Sequence, residues 1–205
     1  MLSLLYQIPT WMQKMYPGVL WRKNTDRKIV YLTFDDGPIP ECTPQILDVL
    51  AQYNVKATFF MVGENAVKYP HLLDLVRNQG HAIGNHTHHH MKGCRNTLQS
   101  YMNDVEMAHQ VLQTNLFRPP HGRMKSKQKQ ALIRSGYTIC MWDVLTHDYN
   151  PRYSVDHMLN IVQHHVRNGS IITCHDSIKS QDRVLQLLHQ MIPYLLTEGY
   201  EFETL

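Results

Sequence analysis

Two adjacent aspartates, Asp35 and Asp36, close an apolar run (Ile29-Val30-Tyr31-Leu32-Thr33-Phe34) and are followed at once by Gly37-Pro38. The run reads as a buried strand and Gly-Pro as its abrupt end. Two like charges at the end of a buried strand are costly unless a cation or a proton lies between them. Further along, His86-Thr87-His88-His89-His90 follows a second strand candidate, Ala82-Ile83-Gly84-Asn85. His86 and His90 lie four positions apart, which sets both imidazoles on one side of a helical turn or a tight loop. One carboxylate with two imidazoles is the three-ligand set of a catalytic zinc-type centre, with a fourth position left for water. Structural zinc sites more often close with four ligands, commonly cysteines, and this chain has no Cys-x-x-Cys. Taken singly, the histidines also fit a solvated turn and the aspartates a cap on the next element. Together, each at the end of a strand candidate, they point to a metal site.

The elements that must carry these residues alternate. Residues 1–26 form an N-terminal extension, irregular and rich in Trp11, Met12, Met15, Tyr16 and Trp21, expected to pack on the core. Residues 27–205 read as one domain. Strands are expected at 29–34, 57–61, 82–85, 116–117, 138–142 and 170–174. Thr43-Pro44 predicts a helix start, with Thr43 as the cap and Ile46, Leu47, Leu50 and Tyr53 as the apolar stripe. Further helices are expected over 72–78, 97–113, 127–135, 154–167 and 183–196. Such alternation predicts a single α/β domain with a largely parallel sheet. Seven or so βα units fit the length, which gives a distorted or incomplete (β/α) barrel of about seven strands. Asp35-Asp36, His86–His90, Arg118–Gly122, Asp143–Asp148 and His175-Asp176 each follow the carboxyl end of an expected strand. In barrels and open α/β sheets, that rim is where active sites are built.

Composition narrows the function further. With 43% hydrophobic and 18% charged residues, 205 residues suffice for one substantial core. A formal net charge of +3 is too mild to argue for nucleic acid, and there is no basic stripe with aromatic platforms. The short cluster Arg123, Lys125, Lys127 and Lys129 reads as the solvated face of a helix. No segment approaches the ~18 apolar residues that would span a bilayer. The start of the chain lacks a basic, long-apolar, small-residue leader, Leu2, Leu4, Leu5 and Ile8 forming only a short patch before Pro9. The chain as given reads as cytoplasmic, or as extracytoplasmic if a leader has been removed. Cys42, Cys94, Cys140 and Cys174 are far apart and read as reduced thiols.

Thr33-Phe34-Asp35-Asp36-Gly37-Pro38, His86-Thr87-x-x-His90, Arg118-Pro119-Pro120-His121-Gly122, Asp148-Tyr149 and Cys174-His175-Asp176 occur in that order. This series resembles the polysaccharide deacetylase family, the NodB-homology group also called family 4 carbohydrate esterases, over roughly residues 28–203. The resemblance implies a distorted (β/α) barrel and metal-dependent removal of acetyl groups from an amino-sugar glycan. It implies Asp36, His86 and His90 as metal ligands, Asp35 as catalytic base and His175 as general acid. Arg118 with Asp148 would be the pair that orients the base. Zn²⁺ is the expected ion, with Co²⁺, Ni²⁺ or Fe²⁺ accepting the same ligands. His121, Trp142, Tyr149 and Thr173 are the candidate substrate-binding residues, Trp142 and Tyr149 for stacking on a sugar ring. The chain departs from the family pattern at Thr173, where leucine is usual, at Tyr149, where tryptophan is, at Leu145, where aspartate is, and at His121, where another aromatic is common. None of these removes a ligand, the base or the acid. Two other readings fit the same residues: an amidohydrolase of this fold acting on a non-carbohydrate amide, and an inactive, metal-retaining binding protein.

Overall fold

The computed structural model describes residues 6–205, so Leu2, Leu4 and Leu5 of the N-terminal patch lie outside the described residues. Among the described residues, nine strands form one sheet: β1 (Val19–Leu20), β2 (Ile29–Asp35), β3 (Thr58–Met61), β4 (Ala82–Asn85), β5 (Leu116–Phe117), β6 (Thr138–Cys140), β7 (Val144–Leu145), β8 (Ile171–His175) and β9 (Glu201–Phe202). Eight α-helices accompany them there: α1 (Thr10–Lys14), α2 (Thr43–Gln52), α3 (Gly63–Lys68), α4 (Pro70–Asn78), α5 (Leu98–Leu112), α6 (Ser126–Arg134), α7 (Val155–His165) and α8 (Gln181–Thr197). The strand order is β1-β6-β5-β4-β3-β2-β8-β7, with β9 beside β2. All the strand ladders are parallel. β2 to β8 thus curl in the order of a (β/α) barrel, interrupted where β6 and β7 fail to pair. No described helix is long and apolar enough to cross a membrane.

β2 is buried at every position, as a central parallel strand covered on both faces must be. Val30, Leu32 and Phe34 of β2 share one core with Ile172 and Cys174 of β8 and with the inward stripes of α2 (Ile46, Leu47, Leu50) and α8 (Leu187, Leu188, Met191, Leu195). α5 and α6 bring Tyr101, Val105 and Leu132 against Phe117 and Ile139. Thr97 and Ser154 cap α5 and α7 through their hydroxyls, each accepting a backbone N–H at 3.2 Å. All four cysteines are unpaired.

The structure departs from the expected elements in a few places. Thr43 is not the cap of α2 but its first residue: its hydroxyl accepts the Ile39 N–H at 2.7 Å and donates to Asp176 at 2.6 Å. The strand expected over 138–142 stops at Cys140, because the chain there leaves β6 and crosses the break to β7. α3, β1, β7 and β9 are too short to leave a periodic signature.

The extension is not irregular. It forms α1, pairs β1 with β6, and makes bridges from Gln7 to Val144 and from Arg22 to Ser170. These contacts close the gap between β6 and β7, and Ile8 and Trp21 are buried there with Met141, Trp142 and Leu145. Ile8 has no exposed surface. Ile8→Ala is therefore expected to cost about 2–5 kcal/mol in urea denaturation, as for any buried isoleucine truncation. A loss under about 0.5 kcal/mol would show that the segment contributes nothing to the core.

Candidate active site

Parallel pairing puts the carboxyl ends of β2, β4, β5 and β8 on one rim. Asp35 and His175 are register partners across β2 and β8. His86 follows the last residue of β4, and Arg118 that of β5. The rim opens into a cleft of about 900 Å³ whose walls include Asp35, Asp36, His86, His90, His121 and His175.

Asp36 leaves β2 in the left-handed region (φ 86°), and the Asn65 side chain donates to its carbonyl at 2.9 Å. The histidine loop is a tight turn rather than a helix, with Thr87 and His90 at φ 65° and 50°. It is tied down by the Asn85 side chain, which accepts the Thr87 N–H, and by the Thr87 hydroxyl, which accepts the Met91 N–H, both at 2.8 Å. Asp104, buried on α5, accepts the N–H groups of His88 and His89 with one oxygen and binds His89 Nδ1 with the other.

The result is a convergence: Asp36 Oδ1 lies 3.2 Å from His90 Nε2 and 3.7 Å from His86 Nε2, and all three ligand atoms fall within 4.8 Å of one another. Bonds of about 2.1 Å to a tetrahedral ion place ligand atoms roughly 3.4 Å apart, so the triad fits a divalent metal. The Arg118 carbonyl accepts from His86 Nδ1 at 2.8 Å, which leaves the Nε2 lone pair facing the triad. Burial pushes His86 down to about 4, so the imidazole is neutral at pH 7. Burial would raise Asp36, but His90, His175 and His86 override it and hold the carboxyl well below the usual carboxylate range. His86 and Asp36 are thus in the protonation states a metal requires.

Asp35 is 3% exposed and is gripped by Arg118 Nη1 through Oδ1 at 2.6 Å. Arg118 has no exposed surface. Its Nη1 also donates to Thr33 Oγ1 at 2.8 Å, Nε to the Cys140 carbonyl at 3.2 Å, and Nη2 to the Met141 carbonyl at 2.9 Å. The Phe60 ring lies 4.0 Å beneath the guanidinium.

His175 is held on the opposite side. Asp148 Oδ1 is 2.8 Å from its Nδ1, and Asp148 Oδ2 accepts its backbone N–H at 2.7 Å. Burial alone would discharge this histidine, but the Asp148 carboxylate, with Asp36 and Asp35 behind it, raises it to about 9. Asp148 therefore does not join Arg118 around Asp35, as the resemblance implied. It is bound to His175, because β7 leads it alongside β8.

The chain matches the family model for polysaccharide deacetylase over residues 22–140. It is 33% identical over 195 residues to a peptidoglycan-N-acetylglucosamine deacetylase of Bacillus cereus, covering 91% of this chain and 90% of that protein. A chitooligosaccharide deacetylase of Sinorhizobium fredii is 32% identical over 202 residues, covering 90% and 93%. The chain belongs to the polysaccharide deacetylase family. Its fold superposes on the crystal structure of a peptidoglycan N-acetylglucosamine deacetylase in complex with 4-naphthalen-1-yl-N-oxidanyl-benzamide. The TM-score there is 0.89 at 34% identity, over 97% of this chain and 95% of that one. The protein is thus a hydrolase of non-peptide C–N bonds and a carbohydrate deacetylase.

The remaining expected site residues of this deacetylase also reach the cleft. His121 stacks obliquely on His90 with ring centroids 4.7 Å apart, and burial, His90 and Lys92 push it down to about 4. Tyr149 meets His175 edge-on at 4.8 Å. Trp142 is only 5% exposed and packs beneath Gly122, where an added Cβ would come within 2.4 Å of the indole. It is a floor to the cleft more than a stacking platform. Thr173 is fully buried and turns its hydroxyl to Thr33 at 3.1 Å, beneath Arg118. His88 is not in the metal triad, and neither is His89, although His89 lines the cleft.

Asp143, grouped with the rim by sequence position, does not line the cleft. Arg167 grips it through two hydrogen bonds, at 3.0 and 2.7 Å. Asp176 supports the base's strand. Its N–H donates to the Asp35 carbonyl at 2.7 Å, and its carboxyl, raised to about 7 by burial, fills the space where a side chain on Gly37 would stand. The roles of Thr33 beneath Arg118 and of Asp104 beneath the histidine loop are not read from the sequence. Thr33 opens the first motif, but a hydroxyl in a buried strand does not announce its partner. Asp104 does leave a signal, since it falls on the inward stripe of α5 between Tyr101 and Ala108.

Arg118→Met leaves Asp35 buried with no counter-charge. We expect a loss of about 3–5 kcal/mol in urea denaturation, and partial recovery when Asp35→Asn is added. A single-variant loss under 1 kcal/mol would show that the pair does not organise the rim.

Proposed function

We propose that this chain removes the N-acetyl group from an amino-sugar glycan, using a divalent metal held by Asp36, His86 and His90. The observation that supports this most is that the triad shares one cleft with a carboxylate and a histidine that are each positioned by a buried partner. The names of the relatives, deacetylases of peptidoglycan N-acetylglucosamine and of chitooligosaccharides, favour the carbohydrate substrate over a small non-sugar amide. Zn²⁺ suits a donor set of two imidazoles and one carboxylate, and Co²⁺, Ni²⁺ and Fe²⁺ suit it as well. When bound, such an ion would lower the pKa of a water to about 7 and polarise the amide carbonyl.

The chain's own residues do the rest. Asp35 has Oδ1 committed to Arg118, so its other oxygen accepts the proton of the attacking water. Arg118 supplies that carboxylate's counter-charge and fixes its direction. His175 has Nδ1 committed to Asp148, so Nε2 delivers the proton to the departing amine, which would otherwise leave as a very poor anionic leaving group. Two acids of similar intrinsic strength are thereby split, one serving as ligand and the other as base.

Acetate release from N-acetylglucosamine oligomers tests the reading directly. Release should stop on chelation and return with Zn²⁺ or Co²⁺. Asp35→Asn should lower kcat by about 10²–10⁴-fold with metal content unchanged, whereas His86→Ala should lose the metal itself. Faster hydrolysis of small non-sugar amides than of any glycan would overturn the carbohydrate assignment.

Only protonated His175 can donate, so the alkaline limb of the kcat profile follows its pKa. Asp148→Asn removes the anion that raises it, and the limb should shift to lower pH by roughly one unit or more. An unshifted limb would remove His175 from the acid role.

A further inference from the structure

The cluster Arg123, Lys125, Lys127 and Lys129 is not simply a solvated helix face. Arg123, Lys125 and Lys129 line a second cavity of about 380 Å³, at the N-terminal end of α6. Tyr16 and Trp21 of the N-terminal segment form another wall. This cavity shares Cys94, Gly122 and Arg123 with the walls of the catalytic cleft, so the two adjoin.

The chemistry of the lining is one-sided. No aspartate or glutamate lines the second cavity. Arg123 makes no ion pair among the described residues. Lys125 and Lys129 are held in place by the carbonyls of Asn96 (2.7 Å) and Pro17 (3.2 Å), which orient the ammonium groups without neutralising them. Lys92 and Arg95, close in sequence to the shared Cys94, line the adjoining cleft and carry charge of the same sign.

A neutral sugar presents hydroxyls that both donate and accept, and suits a wall that does the same. Charged side chains that only donate suit a group that only accepts, a carboxylate or a phosphate. Tyr16, 44% exposed and edge-on to Trp21 at 6.1 Å, offers an aromatic face for the ring that carries such a group.

We propose that this cavity is an anion-recognising subsite. It takes an acidic substituent on a sugar unit neighbouring the one whose N-acetyl group enters the cleft. The proposal rests on the glycan reading above, and it makes the N-terminal segment a determinant of substrate choice.

The test uses the metal-loaded enzyme and four oligosaccharides of equal length. One is a neutral N-acetylglucosamine oligomer, one carries 3-O-lactyl carboxylates on alternate units, one has those carboxylates converted to methylamides, and one carries 6-phosphates. The anionic oligomers should exceed the neutral and amidated ones in kcat/KM by about tenfold at low salt, with the preference shrinking as salt rises. Carboxylate and phosphate are separated by which oligomer shows the gain. Arg123→Gln with Lys129→Gln should collapse the anionic-to-neutral ratio toward one.

A binding arm is independent of turnover. In an Asp35→Asn background, the same two substitutions should weaken calorimetric binding of the preferred anionic oligomer by about tenfold. Equal kcat/KM for charged and neutral oligomers, or unchanged binding in the substituted protein, would overturn the subsite. If no oligomer releases acetate, the glycan reading fails while the binding arm still decides the subsite.

Discussion

Arg118 carries a full positive charge into a place with no solvent contact, and much of the rim is arranged around that fact. A guanidinium cannot shed its proton, so its surroundings must supply acceptors. Asp35 supplies the counter-charge, Thr33 a hydroxyl, and Cys140 and Met141 their carbonyls. The carbonyl of Arg118 itself selects the tautomer of His86. One residue therefore fixes the direction of one carboxylate, the orientation of one metal ligand, and the path of the chain as it leaves β6. Neutral substitutes could fill the same volume, but they would leave the buried Asp35 carboxylate without a counter-charge.

The same logic is repeated with histidines. Asp148 holds His175, and Asp104 holds His89 together with two N–H groups of the ligand loop. In each case a buried carboxylate, on helix α5 for Asp104 and in the turn after β7 for Asp148, fixes a more exposed side chain that lines the cleft. The adjacent pair Asp35 and Asp36 is divided by the strand's end. Asp35 stays in register and looks toward Arg118, while Asp36 turns through a left-handed backbone toward the imidazoles. Neighbours in sequence thus take different partners in space, a guanidinium for Asp35 and two imidazoles for Asp36.

The break between β6 and β7 gives the fold its individual character. A closed barrel would leave no room there for the N-terminal segment. In this chain β1 and the bridges of Gln7 and Arg22 occupy the gap, and Trp21 comes to lie beside Met141 and Trp142. The wall that results is aromatic on one side and cationic on the other, and it adjoins the catalytic cleft.

The sequence by itself determined the alternation of strand and helix, the distorted barrel of about seven strands, and the residues gathered at the carboxyl rim. Those features are local: periodicity, turn chemistry, and Asp-Asp and His-x-x-x-His spacings survive in one dimension. Which partner each polar residue takes did not survive. The resemblance places Asp148 beside Arg118, yet it faces His175, because parallel pairing of β7 with β8 decides who stands opposite whom. The short elements α3, β1, β7 and β9, and the basic residues at the start of α6 that line a cavity, were decided in the same way. Their conformations and roles come from neighbours distant in the chain, and only the packed tertiary structure brings those neighbours together.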